Sequence, residues 1–151
     1  MSTIKLYAPG IKNIVSNAIN LESDAIKVAL MKEAFVFDVT HENYVNTQEC
    51  DDEDYVNEGG VGQGVGGQVL SIASIGSAGN VVTVDTDQEP KETVFTSNGT
   101  ISAYHAVIYA DLATPKLIGY IDFGEEKASV DGTWKITWDA AGLFKFTVNP
   151  E

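Results

Sequence analysis

Tyr104-His105-Ala106-Val107-Ile108-Tyr109, Leu117-Ile118-Gly119-Tyr120-Ile121-Asp122-Phe123-Gly124 and Trp134-Lys135-Ile136-Thr137-Trp138-Asp139 follow one another between Ala103 and Val148, separated by short polar turns. Runs this short, rich in aromatic and β-branched residues, read as antiparallel strands. The run at 101–110 has apolar residues on both faces, Tyr104, Ala106 and Ile108 against Val107 and Tyr109, which predicts a central strand. Trp134, Ile136 and Trp138 alternate with Lys135, Thr137 and Asp139, so that strand is expected to face solvent on one side. Asp139-Ala140-Ala141-Gly142 then turns into Leu143–Val148, where Phe144, Phe146 and Val148 are expected to point inward. Trp134, Ile136, Phe144 and Phe146 are thereby predicted as core residues of a last hairpin facing the opposite sheet.

Upstream, Ile26, Val28 and Leu30 share one face with Lys27 and Met31 on the other, a half-buried strand. Phe35, Phe37 and Val39 repeat the alternation in a second one. Strand patterns return at 68–73 and 81–85, joined by a turn at Ser77-Ala78-Gly79-Asn80, and briefly at Thr93-Val94-Phe95. Period 3.6 occurs in one place: Ile11, Ile14, Val15, Ala18 and Ile19 form one stripe of a helix over 9–20, with Pro9 near its first turn. About twelve residues make a marginal helix unless the stripe docks on a sheet or on a neighbouring subunit. The fold class is therefore mainly all-β, an antiparallel β-sandwich of the jelly-roll or Ig-like kind with one short N-terminal helix. The whole of 1–151 is expected to form one domain, with a long acidic and glycine-rich surface loop at about 41–67.

Size and composition agree. A chain of 151 residues buries roughly 70% of the surface that its unfolded form exposes. No apolar run reaches the ~20 residues of a membrane-spanning helix, and Met1-Ser2-Thr3-Ile4-Lys5 leads into Pro9 without a signal-peptide core. Synthesis in a cytoplasm is expected. Cys50 is the sole cysteine, so neither an intrachain disulfide nor a cysteine-built zinc cluster can form.

Charge narrows the partners. The chain has 22 acids, nine lysines and no arginine, for a net charge of −13. Between Lys32 and Lys91 there is no lysine, while twelve acids fall there, including the run Asp51-Asp52-Glu53-Asp54. Nucleic-acid binding rests on phosphate neutralisation by Lys and Arg, and anionic membranes attract the same side chains. No nucleic acid and no membrane are therefore expected as partners. A basic protein surface suits the charge better.

Motifs that suggest chemistry fall short of it. Gly62-Gln63-Gly64-Val65-Gly66-Gly67 spells G-x-G-x-x-G, but it follows acidic coil and precedes a β-like run, where a dinucleotide site needs strand before and helix after. A flexible glycine loop is the simpler reading. The acidic run lacks the EF-hand order, since Tyr55 and Val56 follow Asp54. His41-Glu42 lacks the second histidine of H-E-x-x-H because position 45 is Val45, and His105 in an apolar strand reads as a hydrogen-bonded structural histidine. Asn98-Gly99-Thr100 reads as a turn rather than a glycan site. No catalytic residue, cofactor site or metal ligand is nominated, and no cofactor is expected.

The same strands resemble a tailed-bacteriophage virion protein family in which A-V-I-Y, L-I-G-Y-I-D-F-G and a late I-x-W-D-x-x-G recur in that order, here at 106–109, 117–124 and 136–142. A second match is Leu21–Met31, where the family has a short helix and then an (I/L)-K-V-A-L strand. The resemblance implies a non-enzymatic structural component of the virion, in the first place a head decoration (cement) protein on the capsid surface. It implies as partners copies of itself, a trimer being expected, and the major capsid protein. A tail- or fibre-associated structural protein is the main alternative, and a carbohydrate-binding β-sandwich a distant one. The acidic and glycine-rich material at 46–67 departs from the family pattern and leaves the mode of attachment open. Ile11, Ile14 and Val15 on the helix, with Tyr44, Tyr55 and Val56 as apolar anchors among the charges, are the candidate intersubunit or shell contacts.

Overall fold

Residues 3–50, 66–96, 100–130 and 133–148 are described by the computed structural model. Among them are ten strands and one helix: β1 (Ile4–Leu6), α1 (Ala8–Val15), β2 (Ile26–Met31), β3 (Gln68–Val69), β4 (Ile72–Ala78), β5 (Val81–Thr86), β6 (Glu92–Thr96), β7 (Thr100–Ala110), β8 (Lys116–Val130), β9 (Thr133–Thr137) and β10 (Phe144–Thr147). They form a five-stranded sheet in the order β1-β8-β7-β2-β3, a three-stranded sheet β10-β5-β4 and a pair β6-β9. Every pairing is antiparallel. The chain is a mainly-β sandwich with one short helix, as its periodicity predicts.

One long hairpin joins the layers. β7 and β8 run antiparallel from Ala110↔Lys116 to Thr100↔Val130, and the same two chain segments pair again from Thr96↔Thr133 to Glu92↔Thr137. Its first half lies in the large sheet and its second half is the β6-β9 pair. Side chains from all three sheets meet in one inner core, among them Ile26, Val28, Leu30, Val84, Phe95, Ile108, Ile121, Trp134, Trp138 and Phe144. In β9, Trp134 and Ile136 are buried while Thr133, Lys135 and Thr137 are exposed. The two indoles also satisfy their polar edges: Trp134 Nε1 donates to the Lys127 carbonyl at 3.0 Å and Trp138 Nε1 to Thr93 Oγ1 at 2.9 Å.

The last hairpin is a correction. β9 pairs with β6 and β10 with β5, so the two sequence neighbours do not pair with each other. Of the three residues expected to point inward, Phe144 is buried and Phe146 half-buried, but Val148 is 59% exposed. Pairing with β6 satisfies the hydrogen bonds of β9 within the hairpin already begun, which leaves β10 to extend the other small sheet.

The second correction concerns β2, which is buried at every position rather than on one face. Ala29 and Met31, with Val107, Tyr109, Leu117 and Tyr120, point to the outer face of the large sheet, where Tyr7, Tyr44, Phe35 and Phe37 cover them. Phe35–Val39 is not a strand. Its alternation is real in burial, since Phe37 stacks on Tyr120 at 4.7 Å and meets Tyr7 at 4.9 Å while Val36 is 75% exposed. This stretch does not join a sheet.

The helix is shorter than its apolar stripe. It ends at Val15, where Asn17 takes a left-handed φ of 63° and the Ser16 amide bonds back to the Lys12 carbonyl. Ile19 still reaches the inner core, held by its amide on the Asn13 carbonyl at 2.9 Å, but from outside the helix.

Truncation of Trp134 to alanine removes a buried ring from the junction of the two layers and is expected to cost about 3–5 kcal/mol. Lys135→Ala and Val148→Ala, both on exposed positions, should stay within about 0.5 kcal/mol. Denaturant melts of the three variants check the register directly, and a parent-like Trp134→Ala would exchange the faces of β9.

Candidate contact surface

The outer face of the large sheet is closed by Tyr7 and by residues 32–50, a strap tied to β8 on one side and to β2 on the other. At the β8 edge, the Leu117 amide donates to the Glu42 carbonyl (2.8 Å) and the Tyr44 amide to the Pro115 carbonyl (3.0 Å). At the β2 edge, Lys32 donates to the Gln48 carbonyl and Cys50 to the Leu30 carbonyl, both at 2.8 Å. Between these ties Tyr44 lies flat on Tyr109 of β7, with ring centroids 4.2 Å apart and planes 5° from parallel.

Polar groups are buried within and beneath this outer face. Tyr44 donates its hydroxyl to Glu49 Oε2 at 2.6 Å, within a buried setting. The Tyr109 hydroxyl donates to the Gly66 carbonyl. Burial first, then the nearby Glu49 and Asp111 carboxylates, push the Tyr109 hydroxyl far above its ordinary range. Directly across from Tyr109 on β2 stands Lys27, whose Nζ is 3.2 Å from Asp111 Oδ2, with both side chains 2% exposed. Gly67 approaches β2 so closely that a Cβ would meet the Val28 carbonyl oxygen at 2.1 Å, and its φ is +100°. The last glycine of the 62–67 run is therefore a close-contact position, not a flexible spacer.

The helix docks by an unexpected face. Its buried residues are Gly10 and Asn13, and a Cβ at Gly10 would sit 2.5 Å from the Leu117 carbonyl oxygen of β8. Asn13 Nδ2 donates to Glu42 Oε1 at 3.1 Å, and Lys116 Nζ is 3.5 Å from the same oxygen. The Asn13 hydrogen bond and then the Lys116 charge hold the Glu42 carboxyl below its usual range. Beside it, hydrogen bonds from Thr40 lower Asp38 in the same way.

The expected contact residues thus separate. Val15 is 81% exposed, and Ile11 is half-buried. Ile14 is half-buried and packs on the inner core. Tyr44 is a correction: at 5% exposure it anchors the strap to the protein's own sheet, because its ring finds Tyr109 and its hydroxyl finds Glu49. Tyr55 and Val56 lie outside the described residues. Three further side chains join Val15 on the covering layer, Val36 at 75%, Val39 at 48% and Val45 at 61% exposure. Val36 is out of phase with Phe35 and Phe37, and Val45 with Tyr44, whereas Val39 shares their phase and its exposure corrects the face expected for it.

Other candidate centres are quieter. Tyr120 Oη lies 2.8 Å from His105 Nδ1, the hydrogen bond expected of a structural histidine, and Asp122 Oδ1 is 3.6 Å from the same nitrogen. A proton relay through imidazole needs partners on two different nitrogens. Cys50 is buried and donates its thiol to the Ser102 carbonyl at 3.3 Å. Among the described residues no three His, Cys, Asp or Glu side chains are grouped to hold a metal ion, and no helix is long and apolar enough to cross a membrane. An open cleft of about 820 Å³ runs beside Phe123, Lys127, Trp134, Thr137 and Asp139. No protein-family model, curated protein or solved structure matches the chain.

Two outcomes test how the layer is attached. Gly10→Ala should destabilise by about 1–3 kcal/mol, because the new methyl meets main chain that cannot move aside without lifting the helix. Glu42 has a depressed folded pKa, so its contribution is fully present above the ordinary carboxylate range and is lost as pH falls through the folded value. In acid titration followed by fluorescence, Asn13→Leu should flatten that part of the stability profile while leaving the neutral-pH spectrum native.

Proposed function

We propose that the protein is a non-enzymatic structural component of a tailed-phage virion, a decoration protein that self-associates, as a trimer, and reinforces the head lattice by binding the major capsid protein. The observation that carries this reading is the covering layer, which leaves Val15, Val36, Val39 and Val45 in solvent while its polar groups secure it to the sheet. Apolar side chains unused by the layer's own packing suit a protein partner. The strand order that resembles the virion family supplies the kind of partner.

The charge adds a second element. At −13, copies of this chain repel one another, whereas a basic shell surface attracts them. The carbohydrate-binding alternative is less well served, because stacking on sugars needs open aromatic faces and Trp134 and Trp138 are only 7% and 3% exposed.

Added salt screens exposed charges beyond about 8–10 Å. Self-association of the parent should therefore strengthen with salt, and binding to expanded capsids should weaken. Sedimentation and particle pull-down at several salt concentrations measure both. The triple variant Val15→Asp, Val36→Asp and Val45→Asp should keep its melting profile and lose association. Replacing Asp51, Asp52, Glu53 and Asp54 by their amides should flatten the salt dependence of capsid binding. A chain that stays monomeric at high concentration and is absent from purified heads overturns the reading. Presence in only a few copies per particle moves it to the tail.

A further inference from the structure

Lys27 and Asp111 make an unusual pair. They come from separate strands' ends, meet at 3.2 Å, and are each 2% exposed beneath the strap. The lysine is fixed by the β2–β7 register, opposite Tyr109, and Asp111 is fixed by its amide on the Ala25 carbonyl at 2.8 Å. Glu49, the other buried acid among the described residues, is tied into the same layer through Tyr44, whose ring lies on Tyr109. Amine and carboxylate are therefore held in contact, in a site from which bulk water is largely excluded.

The geometry points to a covalent modification: Lys27 Nζ and Asp111 Cγ condense within the chain into an isopeptide bond. The step balances without any co-reactant. A proton passes from the ammonium to the carboxylate, and the neutral amine attacks Cγ. A second proton from nitrogen then leaves with the departing oxygen as one molecule of water. One C–N bond forms, one C–O bond breaks, and nothing is oxidised or reduced. In open water such a condensation is opposed by the solvent, but groups held in contact reach effective molarities of about 10⁵–10⁸ M. Here the two are pre-placed by strand pairing, and release of water from a dry site favours the amide. The crosslink would tie β2 to the end of β7 across the sheet centre, whatever the protein binds.

Intact-mass spectrometry of the purified full chain under denaturing conditions tests this. The expected mass is lower than that of the sequence by one water, at monomer size. Trypsin should not cleave after Lys27, and residues 13–32 should travel with residues 92–116 as one branched species. Lys27→Arg and Asp111→Ala should show full mass. A parent of full mass that yields separate peptides 13–27 and 28–32 overturns the proposal, with no need for any variant to fold.

Discussion

β7 has strands on both edges and side chains sheltered on both faces, and the rest of the molecule is arranged around that demand. Ile101, Ala103, Ala106, Ile108 and Ala110 fill the inner core, while Val107 and Tyr109 look outward. An outward face bearing Tyr109, Met31 and Leu117 cannot be left in water without giving up much of the burial that stabilises the sheet. The sandwich closes the inner side. Tyr7 and the strap close the outer one, and they do so with single tyrosine and phenylalanine rings rather than with a third sheet.

This requirement places polar groups where they are costly. Lys27 sits on the outer face because its neighbours Ile26 and Val28 must serve the inner one, and Asp111 answers its charge. Removing one partner of such a pair strands the other and typically costs about 3–5 kcal/mol, whereas the intact pair adds little over a well-packed apolar substitute. The same holds for Tyr44 on Glu49 and Tyr109 on Gly66. These contacts contribute position more than net stability: the first fixes β2 against the end of β7, the second shapes the strap, and the third holds Gly66 over β7.

Much of the sandwich was legible because alternation reports shelter. Trp134, Ile136 and Trp138 were read in the right phase, and the two-faced run at 101–110 was read as central, since both patterns are dictated by local exposure alone. Alternation does not report pairing, however. Phe35 and Phe37 alternate as a strand would, yet they pack as a strap on Tyr7 and Tyr120. Nor does adjacency report partners: β9 returns to β6 because the two segments that leave the 111–115 turn as β7 and β8 pair again further along. Tyr44 was misread as an exposed anchor because acids surround it in sequence, and only the fold brings Tyr109 beneath it. The helix face was hidden for the opposite reason. Gly10 and Asn13 carry no apolar signal: Gly10 faces inward because close approach to the β8 main chain admits nothing larger, and Asn13 bonds Glu42 of the strap.

A layer that docks through a glycine, an asparagine and a few aromatic rings has apolar residues left over. Had the Ile11, Ile14 and Val15 stripe been the docking face, Val15 would be sheltered and the outside of the helix would be polar. Instead the fully buried positions of the helix are Gly10 and Asn13, Ile14 is sheltered only in part, and apolar valines face outward from both helix and strap. Charge of one sign opposes the association of such surfaces by chance encounter. It leaves the apolar contact available to a partner that either neutralises the charge or brings several copies together in a fixed geometry. The combination of a doubly covered sheet, a strap fixed by buried polar ties and apolar residues held outward is thus one consequence of closing the outer face of β7 with so little material.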